Sequence, residues 1–145
     1  MALLAHDAAD LVDQLILLTR RLADLAERQA ALFEASRFAE AGPLTDEAAR
    51  LAATYQMESR RISANPGMLA DAPDVLKQTL KSETERFRAA MTAHERVLER
   101  QRLLAEGLVR AIAEEAVAAR PTPVAYGPGV AVRRDTSAVA LDRRA

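Results

Sequence analysis

No cysteine occurs anywhere in the chain, which excludes a disulfide framework and any thiolate ligand or nucleophile, and fits a reducing compartment. Tryptophan is also absent and aromatics reach only 3%, so a core has to be narrow and built from leucine and alanine. Histidine is confined to His6 and His94. These fall on different predicted elements, so the clustered ligands of a metal site are missing, and no metal or other cofactor is expected. Also missing are a nucleophile elbow, a triad spacing and a phosphate-cradling glycine loop, since Gly127-Pro128-Gly129 lacks the P-loop pattern. Paired carboxylates such as Asp46-Glu47 and Glu114-Glu115 read as solvated charge on helix surfaces. The expectation is a protein that is not an enzyme and acts by binding other proteins.

Charge of one sign is lacking too. The formal net charge is −1, and no segment carries the basic footprint that phosphate backbones require, so nucleic acid is not an expected partner. Residues 1–40 hold four basic and seven acidic groups, a net −3, while residues 121–145 hold four and two, a net +2. The longest strongly apolar run, Leu15-Ile16-Leu17-Leu18, falls far short of the roughly 20 residues of a membrane span. Met1-Ala-Leu-Leu-Ala-His-Asp7 has no basic stretch ahead of an apolar core, and no signal peptide is read there. A cytoplasmic protein without membrane insertion is expected.

Glycine and proline are few, at 5 and 6 residues. They concentrate at Gly42-Pro43, at Pro66-Gly67 with Pro73, and between Pro121 and Gly129; Gly107 stands apart. Either residue inside a helix costs about 1 to 3 kcal/mol, so the stretches between these breakers read as helices. The 145 residues suffice for one domain. The fold class expected is all-α: an elongated antiparallel bundle of three helices, two long and one short, over residues 1–120, with a flexible Pro/Gly-containing C-terminal tail over 121–145.

The first helix is predicted over about 3–40. Leu11, Leu15, Leu18, Leu22, Leu25, Gln29, Leu32 and Ser36 alternate steps of four and three, the seam of a heptad pattern. A second column, Val12, Ile16, Ala23, Ala26, Ala30 and Phe33, widens the buried face enough for two neighbours. Gly42-Pro43 should end this helix, glycine taking the left-handed position and proline being unable to continue the ladder. Thr45 then reads as an N-cap, with Asp46 and Glu47 in the first turn where the helix dipole favours acids. The second helix is predicted over about 46–64, with Ala48, Leu51, Tyr55 and Ile62 facing inward and Glu58 as a polar interruption. Met68 and Leu69, in the connector, should tuck against the bundle end. Asp71 or Asp74, beside Pro73, opens a third helix running to about residue 120. The first two helices could run nearly collinear across a kink at Gly42-Pro43, but two breakers in a row permit a tight reversal, and an up-down-up order is favoured.

His94 lies on the apolar seam of the third helix, where a single satisfied hydrogen bond is expected. Beyond it the helix becomes apolar over more than half its circumference, through Val97, Leu98, Leu103, Leu104, Leu108, Val109, Ile112 and Val117. A second helix of about 19 residues spans only about 28 Å and leaves part of this surface uncovered, and an uncovered apolar helix face serves as a binding surface. The predicted client-binding residues are Val97, Leu98, Leu104, Leu108, Val109 and Ile112. In the tail, Tyr126 is the only aromatic and sits next to Gly127, an arrangement suited to anchoring on a partner.

The leucine heptads of the first helix, the stretch Leu32-Phe-Glu-Ala-Ser-Arg-Phe-Ala-Glu40, the run Asp46-Glu-Ala-Ala-Arg-Leu51 and the tail Tyr126-Gly-Pro-Gly129 resemble the FlgN-type flagellar export chaperones, in particular the short Ala/Arg-rich versions of alphaproteobacteria. Arg50 stands where many members carry a lysine. The resemblance implies a cytoplasmic chaperone that holds hook-filament junction proteins, as its clients, through the distal part of the long helix and delivers them for type III secretion. It implies docking of Tyr126 and Gly127 to the cytoplasmic domain of the export-gate membrane protein. The competing expectations are a coiled-coil scaffold that self-associates as a homodimer through the same surfaces, and a regulatory binding protein of flagellar assembly.

Overall fold

A computed structural model describes residues 2–119. Three α-helices, α1 (Ala8–Glu34), α2 (Phe38–Ala64) and α3 (Asp74–Ala118), account for most of them, with a 3-10 turn at Pro66–Leu69 between the last two. The fold is an all-α helical bundle, as the spacing of apolar residues and breakers predicts. Among the described residues no helix is long and apolar enough to cross a membrane. The chain divides into two compact units, one ending at Gln101 and one beginning at Arg102.

In the first unit the helices run up, down and up. α2 is antiparallel to α1, because Arg21 meets Glu47, Gln29 meets Thr45 and Leu3 meets Glu58 in reversed order. α3 returns parallel to α1, its Glu83, Arg86 and Gln101 meeting Arg20, Glu27 and Phe33 in rising order. Tyr55 of α2 and Phe87 of α3 stack edge to face, 5.4 Å between centroids.

α1 is the spine. Its seam residues Leu11, Leu15, Leu18, Leu22, Leu25 and Gln29 are buried, as are Val12, Ile16, Ala23 and Ala26 of the second column. Thr19 completes that column and is fully buried, its hydroxyl donating to the Leu15 carbonyl at 2.7 Å. Val12 and Ile16 form a cluster with Ala72, and Leu69, Leu76 and Leu80 pack against it.

The helix ends differ from the sequence-based expectation. α1 begins at Ala8, where the Asp7 carboxylate accepts from the Asp10 N–H at 2.8 Å and caps the first turn. The preceding residues are held over the bundle, Leu3 N–H donating to Glu58 and Leu4 carbonyl accepting from Gln14. At the other end α1 stops at Glu34, well before Gly42-Pro43. Ser36 takes a left-handed φ of 58°, Arg37 N–H donates to Leu32 carbonyl at 2.8 Å and Ser36 N–H to Phe33 carbonyl at 3.1 Å. This is a Schellman closure built on serine in place of glycine.

Pro43 therefore lies inside α2, where its missing N–H leaves one carbonyl without a ladder partner. Thr45 is a mid-helix residue and no N-cap: its hydroxyl donates to Ala41 carbonyl at 3.1 Å and accepts from Gln29 Nε2 at 2.8 Å, tying α2 to α1. α1 and α2 come out equal at 27 residues each, so the second helix is not short. Glu58, the expected interruption, is 0% exposed. Its carboxylate accepts from Leu3 N–H at 2.9 Å and from the Arg61 guanidinium through both oxygens. A buried carboxylate is tolerable only with such partners.

Candidate functional site: the distal face of α3

α3 is 45 residues long, about 68 Å at 1.5 Å per residue, and its residues divide between the two units. Within the first unit it is stitched to α1 by charge. Arg86 donates to Glu27 and to Asp24 at 2.6–3.0 Å, and Arg20 donates to Glu83 at 2.9–3.0 Å. The two carboxylates hold the Arg86 proton well above the usual guanidinium range.

His94 lies edge-on to Phe33, centroids 5.8 Å apart. Its Nε2 is buried without a hydrogen-bond partner, contrary to the single satisfied bond expected for it, and burial pushes its pKa below the ordinary histidine value. Gln101 closes this stretch by donating to the Phe33 carbonyl at 2.9 Å.

Val97 belongs to the same stripe, between His94 and Gln101, and is only 5% exposed. The sequence placed it among the client-binding residues, and this is a correction: Val97 is core. It recurs three residues after His94 and four before Gln101, so it faces inward with them. Leu98, its neighbour around the helix, is exposed, and lies in the first unit.

In the second unit every described residue, 102–119, is exposed. Leu104, Leu108, Val109 and Ile112, the other predicted client-binding residues, are 58–63% exposed. Leu104, Leu108 and Ile112 follow four-residue steps and form one ridge, with Val109 about 100° around the helix from Leu108. Leu103 and Val117, omitted from the predicted site, are exposed as well.

A helix whose apolar side chains face solvent draws little stability from packing and relies on contacts within itself. Arg102 donates to Glu106 at 2.5 Å, an i,i+4 pair, and Arg110 and Glu114 continue the alternation in further four-residue steps. The charges lie on the side opposite the Leu104–Leu108–Ile112 ridge, so they support the helix and leave the ridge unobstructed. Gly107 is the weak point, and a β-carbon there would meet nothing within 4 Å. Tyr126 and Gly127, the predicted docking pair, lie outside the described residues.

The arrangement can bury a partner helix in an apolar face. No family model matches the chain, and no solved structure matches it. Among known proteins, the flagellar basal-body protein FlbY of Caulobacter vibrioides is 41% identical over 149 aligned positions that span 100% of both chains. Its name carries the flagellar part of the resemblance noted above and does not extend to chaperone activity. With that identity over its full length, the chain belongs to the family of the flagellar basal-body protein FlbY.

Proposed function

We propose that this protein is a cytoplasmic export chaperone of flagellar assembly, which binds hook-filament junction proteins and delivers them to the type III export gate. The observation that carries this reading is the distal stretch of α3, an exposed helix with Leu104, Leu108, Val109 and Ile112 open to solvent in a chain of a flagellar family. An amphipathic client helix laid along the Leu104–Leu108–Ile112 ridge would bury these side chains without disturbing the first unit. The chemistry is binding without turnover. Docking at the gate would fall to Tyr126 and Gly127, the tyrosine ring supplying a large contact area at low rotamer cost.

The same exposed ridge also favours a second reading, a scaffold that pairs with its own copy. Purified protein carrying Leu108→Ala separates the two. As a chaperone, the variant loses about 1 to 3 kcal/mol of affinity for a purified hook-filament junction protein, the worth of one leucine buried at an interface, and its oligomeric state by light scattering is unchanged. As a scaffold, the parent is a stable oligomer that the substitution dissociates.

A further inference from the structure

We propose that the groove between the 3-10 turn and the first turns of α3 docks an acidic amphipathic helix of a protein partner, at a site separate from the distal ridge. The groove encloses about 370 Å³. Its floor is Leu69 and Leu80, both packed against the Val12–Ile16–Ala72 cluster and therefore held in place by the core. Along its walls stand Lys77, Lys81 and Arg88, against a single carboxylate, Glu85. Lys77 and Lys81 are the only lysines in the chain.

The cations of α3 between Lys77 and Arg88 fall into two groups. On the side facing α1, Arg86 is matched by Asp24 and Glu27, and Glu83 on that side is matched by Arg20. On the groove side, Lys77 holds the turn by donating to the Ala70 carbonyl at 2.9 Å. Lys81 and Arg88 are exposed, and among the described residues their side chains form no hydrogen bond or ion pair. Lys81 and Arg88 are seven residues apart on one helix, about 10.5 Å at 1.5 Å per residue.

That spacing defines the complementary ligand. A helix with two carboxylates one heptad apart, and a leucine between them on the same face, would set its carboxylates on Lys81 and Arg88 and its leucine on Leu69 and Leu80. One feature favours such a segment over an anionic membrane: the groove is concave, with an apolar floor fixed by the core.

The test uses the full chain, labelled with nitrogen-15, and a synthetic helical peptide carrying glutamates one heptad apart around a leucine. The expected result is saturable chemical-shift change confined to Leu69, Leu80, Lys81, Glu85 and Arg88. The double substitution Lys81→Glu with Arg88→Glu should weaken binding by at least about tenfold and leave the melting curve of these exposed positions' parent unchanged. Glu85→Lys should tighten it several-fold, and a peptide with serine in place of leucine should fail to bind. Shifts located at residues 102–118, or binding indifferent to the double substitution, overturn the proposal. So does binding of phosphatidylglycerol vesicles, but not of the peptide, through the same two cations.

Discussion

One helix serves two different ends. Up to Gln101, α3 turns Ala90 and Val97 into the bundle, takes Arg86 to the carboxylates of Asp24 and Glu27 on α1, and takes the Gln101 amide to the Phe33 carbonyl. From Arg102 onward it has as many large aliphatic side chains, yet none of those described is buried, and the Arg102–Glu106 ion pair lies within the helix itself. Apolar residues in a helix thus do not by themselves mark a core. What separates the halves is the pattern around the apolar residues: on the face turned to α1, Glu83 and Arg86 are answered by charges of that helix, whereas Arg102 and Glu106 answer each other at i,i+4 spacing.

The largest effect that could break this contrast is on stability. Leu25 is fully buried on α1, and Leu25→Ala should cost about 2 to 5 kcal/mol by chemical denaturation. Leu108→Ala, on the exposed ridge, should stay within about 0.5 kcal/mol of the parent. Comparable losses at the two positions would show that the distal helix is core. A smaller effect is expected at the buried carboxylate of Glu58. Arg61→Ala leaves it with the Leu3 N–H as its remaining partner, and a loss of about 1 to 3 kcal/mol should appear in the same measurement.

A gain is expected at Gly42. Its place inside α2, with open space around the missing β-carbon, means that Gly42→Ala should stabilise the protein by about 0.5 to 1 kcal/mol. If Gly42 were the left-handed terminator of the first helix, as its position before Pro43 implied, the same change would destabilise. Melting curves decide between the two signs.

The pH effect at His94 is the smallest. Burial lowers its pKa from the ordinary 6.5, so below that pH the unfolded chain binds a proton that the folded protein resists. Stability then rises with pH up to about 6.5 and falls as pH drops through that value. Replacing His94 by leucine should flatten that part of the stability profile, measured by denaturation from pH 5 to 8. An unchanged slope would place the titration elsewhere.

These positions also show how far the fold could be read from the sequence. The all-α class and the buried face of α1 were legible because steps of three and four residues in an apolar pattern admit few other structures. Thr19 escaped that pattern because a hydroxyl returned to its own helix carbonyl is buried as readily as an apolar group. The turn between α1 and α2 was misplaced because Gly42-Pro43 is the stronger local signal, while Ser36 reverses the chain through backbone hydrogen bonds that serine does not announce. Proline inside a helix is unfavourable by about 3 kcal/mol, a local cost that the packing of α2 on α1 overrides.

The distal ridge was legible as excess apolar circumference, although the argument that led to it, a short second helix, was wrong in its premise, since α2 matches α1 in length. Val97 was misassigned because apolar periodicity runs unbroken from the buried stripe into the exposed one, and only the partners of Phe33, namely His94 and Gln101, mark where burial stops.

Amide hydrogen exchange on the full chain, alone and with a purified hook-filament junction protein, tests the central claim most directly. Alone, α1 should exchange slowly through the buried stretch Leu11 to Gln29, and residues 102–118 should exchange near the rate of an isolated helix. With the client, protection should rise at 102–118 and stay unchanged in α1. Slow exchange at 102–118 in the protein alone, or a client that protects some other segment, would contradict the account.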